Sequence, residues 1–265
     1  MQDLEYLKPA NLNEAANLAA SDPDARLLAG GQTTLPSMRL GLLMPSKLID
    51  LGGIAELRSI RVDGKQVVIG AMTRHAEVAR NADVRRKIPA LSRLAEGIGD
   101  RQVRNLGTIG GSVANSDPAA DYPAAVLALG ATVITNRRKI DADAFFTGLF
   151  STVLETGEII TAVSFPVPAQ SAYVKFKQPA SHFALVGVFV ASFGKDVRVA
   201  VTGAGASVFR LSALEYALTR CFAPESCDGL TVPTDGLNTD IHASAAYRAH
   251  LISILARRAV QQAIG

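Results

Sequence analysis

Positions 104–121 read Arg-Asn-Leu-Gly-Thr-Ile-Gly-Gly-Ser-Val-Ala-Asn-Ser-Asp-Pro-Ala-Ala-Asp, and no other stretch gathers as many groups able to do chemistry. Gly110 and Gly111 are flanked by Thr108 and Ser112, and the carboxylates Asp117 and Asp121 follow closely. Paired glycines let successive main-chain N–H groups converge on phosphate oxygens with no Cβ in the way. The segment therefore reads as a loop around a cofactor diphosphate, with the two aspartates suited to hydroxyls. A plain turn is the alternative for a glycine pair taken alone. A second segment, residues 26–35 (Arg-Leu-Leu-Ala-Gly-Gly-Gln-Thr-Thr-Leu), repeats the pattern: an apolar run, then Gly30-Gly31, then Gln32, Thr33 and Thr34. Two strand-following cradles in one chain favour a shared anion over two unrelated turns. No nucleophile or catalytic side chain is marked out, and His75, His182, His242 and His250 show no metal-ligand spacing.

These loops need strands and helices to hold them. Asn11 and Glu14 bracket the start of a helix with a capping pair, and Ser21-Asp22-Pro23-Asp24 ends it. Residues 26–29 and 47–51 read as strands on either side of the first cradle, giving a strand-helix-strand lobe over about residues 1–55. Asp63-Gly64-Lys65 separates two apolar strands and predicts a hairpin that opens a second lobe. Helical spacing covers 75–81, 88–97 and 121–129, the last ended by Gly130, and strands are expected at 131–135 and 158–165. Pro166-Val167-Pro168 marks a boundary. Beyond it come strands at 173–177, 184–192 and 197–202, the middle one apolar throughout and so expected to be buried on both faces. Helices at 211–220 and 243–263, joined through a polar loop at 226–240, complete a domain with an antiparallel sheet and helices on one face.

Composition narrows the classes. A chain of 265 residues that is 48% hydrophobic and 19% charged has ample material for a core. Its net charge of +3 and the lack of any basic run longer than Arg137-Arg138-Lys139, read as a solvated turn, argue against nucleic acid as a partner. Residues 1–6 are acidic without basic or apolar blocks, and apolar runs fall short of the roughly 20 residues of a membrane span, so a cytoplasmic protein with no transmembrane segment is expected. Cys221 and Cys227 are too few for a disulfide framework or for the four thiolates of an iron–sulfur cluster; free thiols are expected, with a redox pair as the alternative. Gly203-Ala204-Gly205-Ala206 follows an apolar strand but lacks the third glycine of a nicotinamide-dinucleotide fingerprint, and reads as a tight turn.

Taken together, the Ala-Gly-Gly loop at 29–31, the Thr-Ile-Gly-Gly loop at 108–111, the Asp-Pro-Ala-Ala-Asp continuation, residues 175–181 and residues 242–248 resemble the FAD-binding subunit of the molybdenum hydroxylases, the group of carbon monoxide, xanthine, aldehyde and N-heterocycle dehydrogenases. The resemblance covers essentially the whole chain. It implies an α+β fold: a two-lobed FAD-binding domain of the vanillyl-alcohol oxidase/PCMH type over residues 1–168 (lobes about 1–55 and 56–168), then a smaller C-terminal α+β domain with an antiparallel sheet over 171–265. It implies that Leu28, Ala29, Gly30, Gly31, Gln32, Thr33, Thr34 and Leu35 form one diphosphate loop, and Thr108, Ile109, Gly110, Gly111 and Ser112 the other. Gln32 stands where some relatives carry histidine and Ser112 where some carry asparagine; both keep hydrogen-bonding capacity. Asp121 falls on an aspartate that contacts ribityl or ribose hydroxyls, with Asp117 as its companion; a carboxylate at a helix start is the alternative. Lys177 falls on a lysine near the flavin ring, or is a solvated strand lysine. Phe183 is placed over the ring face, Ile98 and Ile160 along the adenine or ring pocket, and Arg26 near the phosphates; core packing or plain surface exposure would explain each as well.

The function implied by the resemblance is that of an FAD-carrying electron-transfer subunit. Electrons would arrive from [2Fe-2S] clusters on a small subunit, after hydroxylation at molybdopterin on a large subunit, and leave to NAD, quinone or dioxygen. A dimer of heterotrimers is the implied assembly. The two cysteines speak against the benzoyl-CoA reductase branch, whose flavin subunit has an inserted iron–sulfur loop. The alternatives are a self-contained FAD-dependent oxidoreductase, for which no acid–base cluster is evident, and a non-catalytic flavin-binding module.

Overall fold

The computed structural model describes residues 4–265; Met1, Gln2 and Asp3, part of the segment read for a signal peptide, lie outside the described residues. The chain begins with β1 (Glu5–Leu7), α1 (Leu12–Ser21), β2 (Arg26–Leu28), α2 (Thr34–Arg39) and β3 (Lys47–Asp50), whose strands form a parallel sheet in the order β1-β3-β2. Parallel neighbours need crossover connections, and α1 and the α2 segment supply them. The Asn11 side chain caps α1 by accepting from the Glu14 N–H at 3.0 Å, while the Glu14 carboxylate accepts from the Ala10 N–H at 2.7 Å. Ala15, Ile49, Leu51, Ile54 and Leu57 form the core of this lobe. The first cradle thus leaves the carboxyl end of β2 and runs straight into α2.

The second lobe contains β4 (Ile60–Asp63), β5 (Gln66–Gly70), α3 (His75–Arg80), α4 (Ala82–Lys87), α5 (Pro89–Glu96), α6 (Arg101–Leu106), α7 (Ile109–Asn115), α8 (Tyr122–Ala128), β6 (Thr132–Thr135), β7 (Lys139–Asp141), α9 (Ala142–Phe145), β8 (Phe146–Gly148), β9 (Ser151–Thr152) and β10 (Ile160–Pro166). Five of its strands make an antiparallel sheet in the order β4-β5-β10-β6-β7. The β4–β5 hairpin turns at Gly64, whose φ of 57° is one that glycine adopts without strain. Val67, Ile69, Val163 and Phe165 meet the apolar faces of α3, α5 and α8 in the largest core cluster.

The C-terminal region is a four-stranded antiparallel sheet of β11 (Gln170–Lys177), β12 (Ala184–Ser192), β13 (Val197–Thr202) and β14 (Phe209–Arg210), with α10 (Ser212–Arg220) and α11 (Ala245–Ile264). Every residue of β12 is buried, as its unbroken apolar run predicts. Alternation explains this: Val186, Val188 and Val190 pack under α10 and α11, while Phe189 and Ala191 join the core of the second lobe. The turn at Gly203 (φ 82°) is tied down by the buried Arg248, whose Nη1 donates to the carbonyls of Leu185 and Gly203 at 2.7 and 2.9 Å. No helix among the described residues is long and apolar enough to cross a membrane.

Candidate cofactor site

A cavity of about 660 Å³ opens between the first cradle, the start of α7, the 154–160 segment, the end of α5 and the 181–183 turn. Ala29, Gly30, Gly31, Gln32, Thr33, Thr34, Ile98, Thr108, Gly110, Gly111, Ser112, Asp117, Asp121, Ile160 and Phe183 all line it. Arg26 lies on the wall, its Nη1 bonded to the Pro23 and Ala25 carbonyls at 2.9 and 2.8 Å. Four of the expected residues do not reach the wall. Leu28 and Leu35 pack behind Gly31, and Ile109 is fully buried in the core. Lys177 sits on the exposed end of β11.

The first cradle has the properties of an anion site. The main-chain N–H groups of Gly30, Gly31, Gln32, Thr33 and Thr34 find no acceptor within the described residues. Gly31 has φ 71°, which turns the chain so that consecutive amides share one side. Gly30 is required for another reason: an added Cβ would lie 2.6 Å from the Gly107 Cα and closer still to the Leu106 carbonyl oxygen. The loop is therefore seated directly on the backbone between α6 and α7.

The second cradle differs from the loop expected of it. Residues 109–115 fold as α7, with Thr108 at its N-cap and the Thr108 Oγ1 accepting from the Gly111 N–H at 3.2 Å. Its other early amides are also engaged: Ile109 with the Thr73 carbonyl at 3.1 Å, Gly110 with that of Ala71 at 2.8 Å, and Ser112 with that of Thr108 at 3.0 Å. Gly110 serves packing, since a Cβ there would meet the Ala71 Cβ at 2.5 Å. Glycine's low helix propensity hid this helix in the sequence. What the second segment gives the cavity is the small residues Gly110, Gly111 and Ala114 and the Thr108 and Ser112 side chains.

The acidic groups divide by environment. Asp121 is 5% exposed and makes no N-cap bond on α8; instead its carboxylate accepts from the Tyr173 hydroxyl and from Lys175 Nζ, the latter at 2.9 Å. Burial raises its pKa, and Lys175 opposes that rise. Burial likewise raises that of Asp117, whose Oδ1 accepts from the Ala119 N–H at 2.8 Å. Both carboxyls can still take hydrogen bonds from ligand hydroxyls through their free lone pairs. Lys175, two positions before the lysine expected, reaches the site through Asp121, and neither lysine lines the cavity itself. Strand alternation puts Tyr173 and Lys175 on one face, whereas Lys177 ends the strand, opposite the point where the partner strand bulges at Leu185, and is exposed.

Other wall residues carried no recognised signal. The Arg137-Arg138 pair, read as a solvated turn, clamps the 153–158 segment: Arg138 Nε and Nη2 each bond Glu158 at 2.9 Å, and Arg137 Nη2 bonds the Thr156 carbonyl at 2.8 Å. The Glu158 carboxyl is held down to about 2, chiefly by its hydrogen bond to Arg138. His75, 5% exposed, borders the cavity with its Nδ1 unpartnered beside the equally unpartnered Tyr122 hydroxyl, the two rings being 5.3 Å apart. Burial first, and Arg104 second, lower its pKa to about 4, so the imidazole is neutral.

The cavity thus combines a row of unpartnered amides, buried carboxylates and apolar side chains, a set of groups that fits a phosphate-bearing dinucleotide. A family model described as the FAD binding domain in molybdopterin dehydrogenase matches residues 2–168. The nicotine 6-hydroxylase medium subunit of Paenarthrobacter nicotinovorans is 34% identical over 274 aligned positions, covering 98% of this chain and 97% of that protein. The carbon monoxide dehydrogenase medium chain of Hydrogenophaga pseudoflava is 39% identical, covering 78% of this chain and 76% of its own. A solved carbon monoxide dehydrogenase from Hydrogenophaga pseudoflava superposes with a TM-score of 0.88 at 33% identity, over 98% of this chain and 97% of that one. The chain belongs to the FAD-binding medium subunits of the molybdenum hydroxylase family. It is an FAD-dependent oxidoreductase subunit.

Proposed function

We propose that this chain is the electron outlet of a cytoplasmic, three-subunit molybdenum hydroxylase, taking electrons from [2Fe-2S] clusters on a small subunit and delivering them to NAD, quinone or dioxygen. Residues 1–168 would hold the cofactor and 171–265 would close one side of its site. The observation that carries this reading is the row of free amides at Gly30–Thr34 opening into a cavity that also presents Asp121 and Phe183. Bound FAD supplies the redox chemistry, because a flavin exchanges electrons singly or in pairs. The amides of Gly30–Thr34 and the hydroxyls of Thr108 and Ser112 would bind the diphosphate, while Asp117 and Asp121 orient the hydroxyl-bearing linker. Ile98, Ile160 and Phe183 exclude water from the ring. The free thiols of Cys221 and Cys227 are consistent with a reducing compartment, burial pushing the Cys227 thiol up to about 11.

Tagging the chain in its native host and quantifying flavin, iron and molybdenum in one eluate tests the proposal. FAD with iron and molybdenum in fixed ratio supports the three-subunit assembly. FAD alone, with full turnover on an organic substrate, would replace it with a self-contained oxidoreductase.

A further inference from the structure

Lys175 has no task in the loop chemistry above, yet its setting is the most tightly specified of any lysine near the cavity. Its side chain is 9% exposed, and Nζ donates to Asp121 Oδ2 at 2.9 Å, to the Gly97 carbonyl at 3.0 Å and to the His182 carbonyl at 3.0 Å. An ammonium has three donors, so all three are used. The acceptors come from three walls: Gly97 ends α5, Asp121 precedes α8, and His182 belongs to the turn between β11 and β12. A buried charge satisfied only when three separate segments are in place makes their relative position an all-or-none matter.

The turn that Lys175 grips is also strained. His182 has φ 62°, a left-handed conformation that non-glycine residues adopt only when their surroundings enforce it. Here the enforcing contacts are the Lys175 bond, the His182 N–H to the Gln178 carbonyl at 2.9 Å, the Gln178 N–H to the Phe183 carbonyl at 2.9 Å, and His182 Nδ1 against the Gly99 carbonyl at 3.2 Å. The last of these reaches across to the segment that follows α5, as does the Lys175 bond to Gly97. Their product is Phe183, a phenylalanine left 47% exposed at the cavity.

We propose that Lys175 is a positioning residue that pins the 178–183 turn across the cavity and so holds the Phe183 ring as its cover. This rests on the cavity being the FAD site. Lys175 acts through the His182 carbonyl and touches no reacting atom. Its removal should let the strained turn relax and uncover the bound flavin, even where the diphosphate loop stays intact.

The test uses the full-length, FAD-loaded chain and reads iodide quenching of flavin fluorescence together with the melting temperature. K175M should raise the quenching constant several-fold, F183A should raise it equally, and the double variant should match F183A alone. K175Q, whose amide can still donate to Asp121 but cannot span all three acceptors, should move quenching in the same direction and keeps the test available if K175M does not fold. K177M, on the exposed end of the same strand, should change nothing. Quenching that adds in the double variant, or that stays at the wild-type value in folded K175M or K175Q, overturns the proposal while leaving the FAD site standing. A wild-type chain that binds no FAD overturns both.

Discussion

Gly30→Ala puts the loop geometry to its sharpest test. A Cβ at position 30 would fall 2.6 Å from the Gly107 Cα. Carbon atoms need about 3.5 Å, so the loop must retreat from the α6–α7 junction by about 1 Å. Neither obstructing group is a side-chain end that can swing away; both are main chain. Overpacking of this kind costs about 1–3 kcal/mol in the apo protein. The larger effect falls on the ligand, because a displacement of about 1 Å takes an N–H···O distance of about 2.9 Å past the limit of a hydrogen bond. Losing two bonds to a charged phosphate, at about 1.5–3 kcal/mol each, costs about 3–6 kcal/mol. That is a fall in FAD affinity of about 10²- to 10⁴-fold. Fluorescence titration of the apo chain with FAD, alongside its melting curve, reads both effects. Gly53→Ala is the control, since a Cβ at Gly53 in the same lobe meets nothing within 4 Å. A folded G30A chain that binds FAD within about threefold of wild type would refute the argument that the seat of the loop on Gly107 aims its amides.

Three further outcomes follow from the buried charges. Because His75 is held neutral with its pKa lowered to about 4, the unfolded chain takes up a proton that the folded chain refuses; stability should fall as the pH drops from 6.5 towards 4, by up to about 3 kcal/mol. Denaturant midpoints at steps of pH for wild type and His75→Gln, which lacks that slope, check this. Glu158, held down to about 2 against an ordinary 4.5, gives stability that is full above pH 4.5 and lost as the pH falls through about 2. Because Arg138 is 43% exposed, solvent screening limits this to about 1 kcal/mol, and Glu158→Gln should flatten the acid limb of the stability curve. Asp121→Asn strands the Lys175 ammonium in the interior and should cost about 3–5 kcal/mol, and D121N/K175M should be less destabilised than the two single costs summed, as a thermal double-mutant cycle would read.

Local chemistry made much of the fold legible. The Asn11 cap, the Asp63-Gly64-Lys65 hairpin, the Gly130 helix stop and the unbroken apolar run of β12 each depend on neighbours in sequence, and each element formed where those signals put it. The glycines were legible as close approaches. What a Cβ would strike was not, because Gly30 meets Leu106 and Gly107, and Gly110 meets Ala71, only in three dimensions. The α7 helix was hidden by its own glycines, and α6, rich in polar residues, showed no apolar stripe. Lys175 and Tyr173 were in view as alternating residues of a strand, but their bond to Asp121 joins segments more than 50 positions apart. Arg138 likewise gains its role only when Glu158, 20 positions away, folds beneath it.

The central claim is that the Gly30–Thr34 amides bind the diphosphate of FAD. The most direct measurement is calorimetric titration of the purified, deflavinated chain with FAD and, in parallel, with FMN and riboflavin. One equivalent of FAD should bind tightly, whereas FMN, which keeps one phosphate but lacks the adenylate half, and riboflavin, which lacks both phosphates and the adenosine, should bind at least about 100-fold more weakly. Equal affinity for FAD and riboflavin would mean that the ring alone is recognised, and would contradict the assignment of the first cradle.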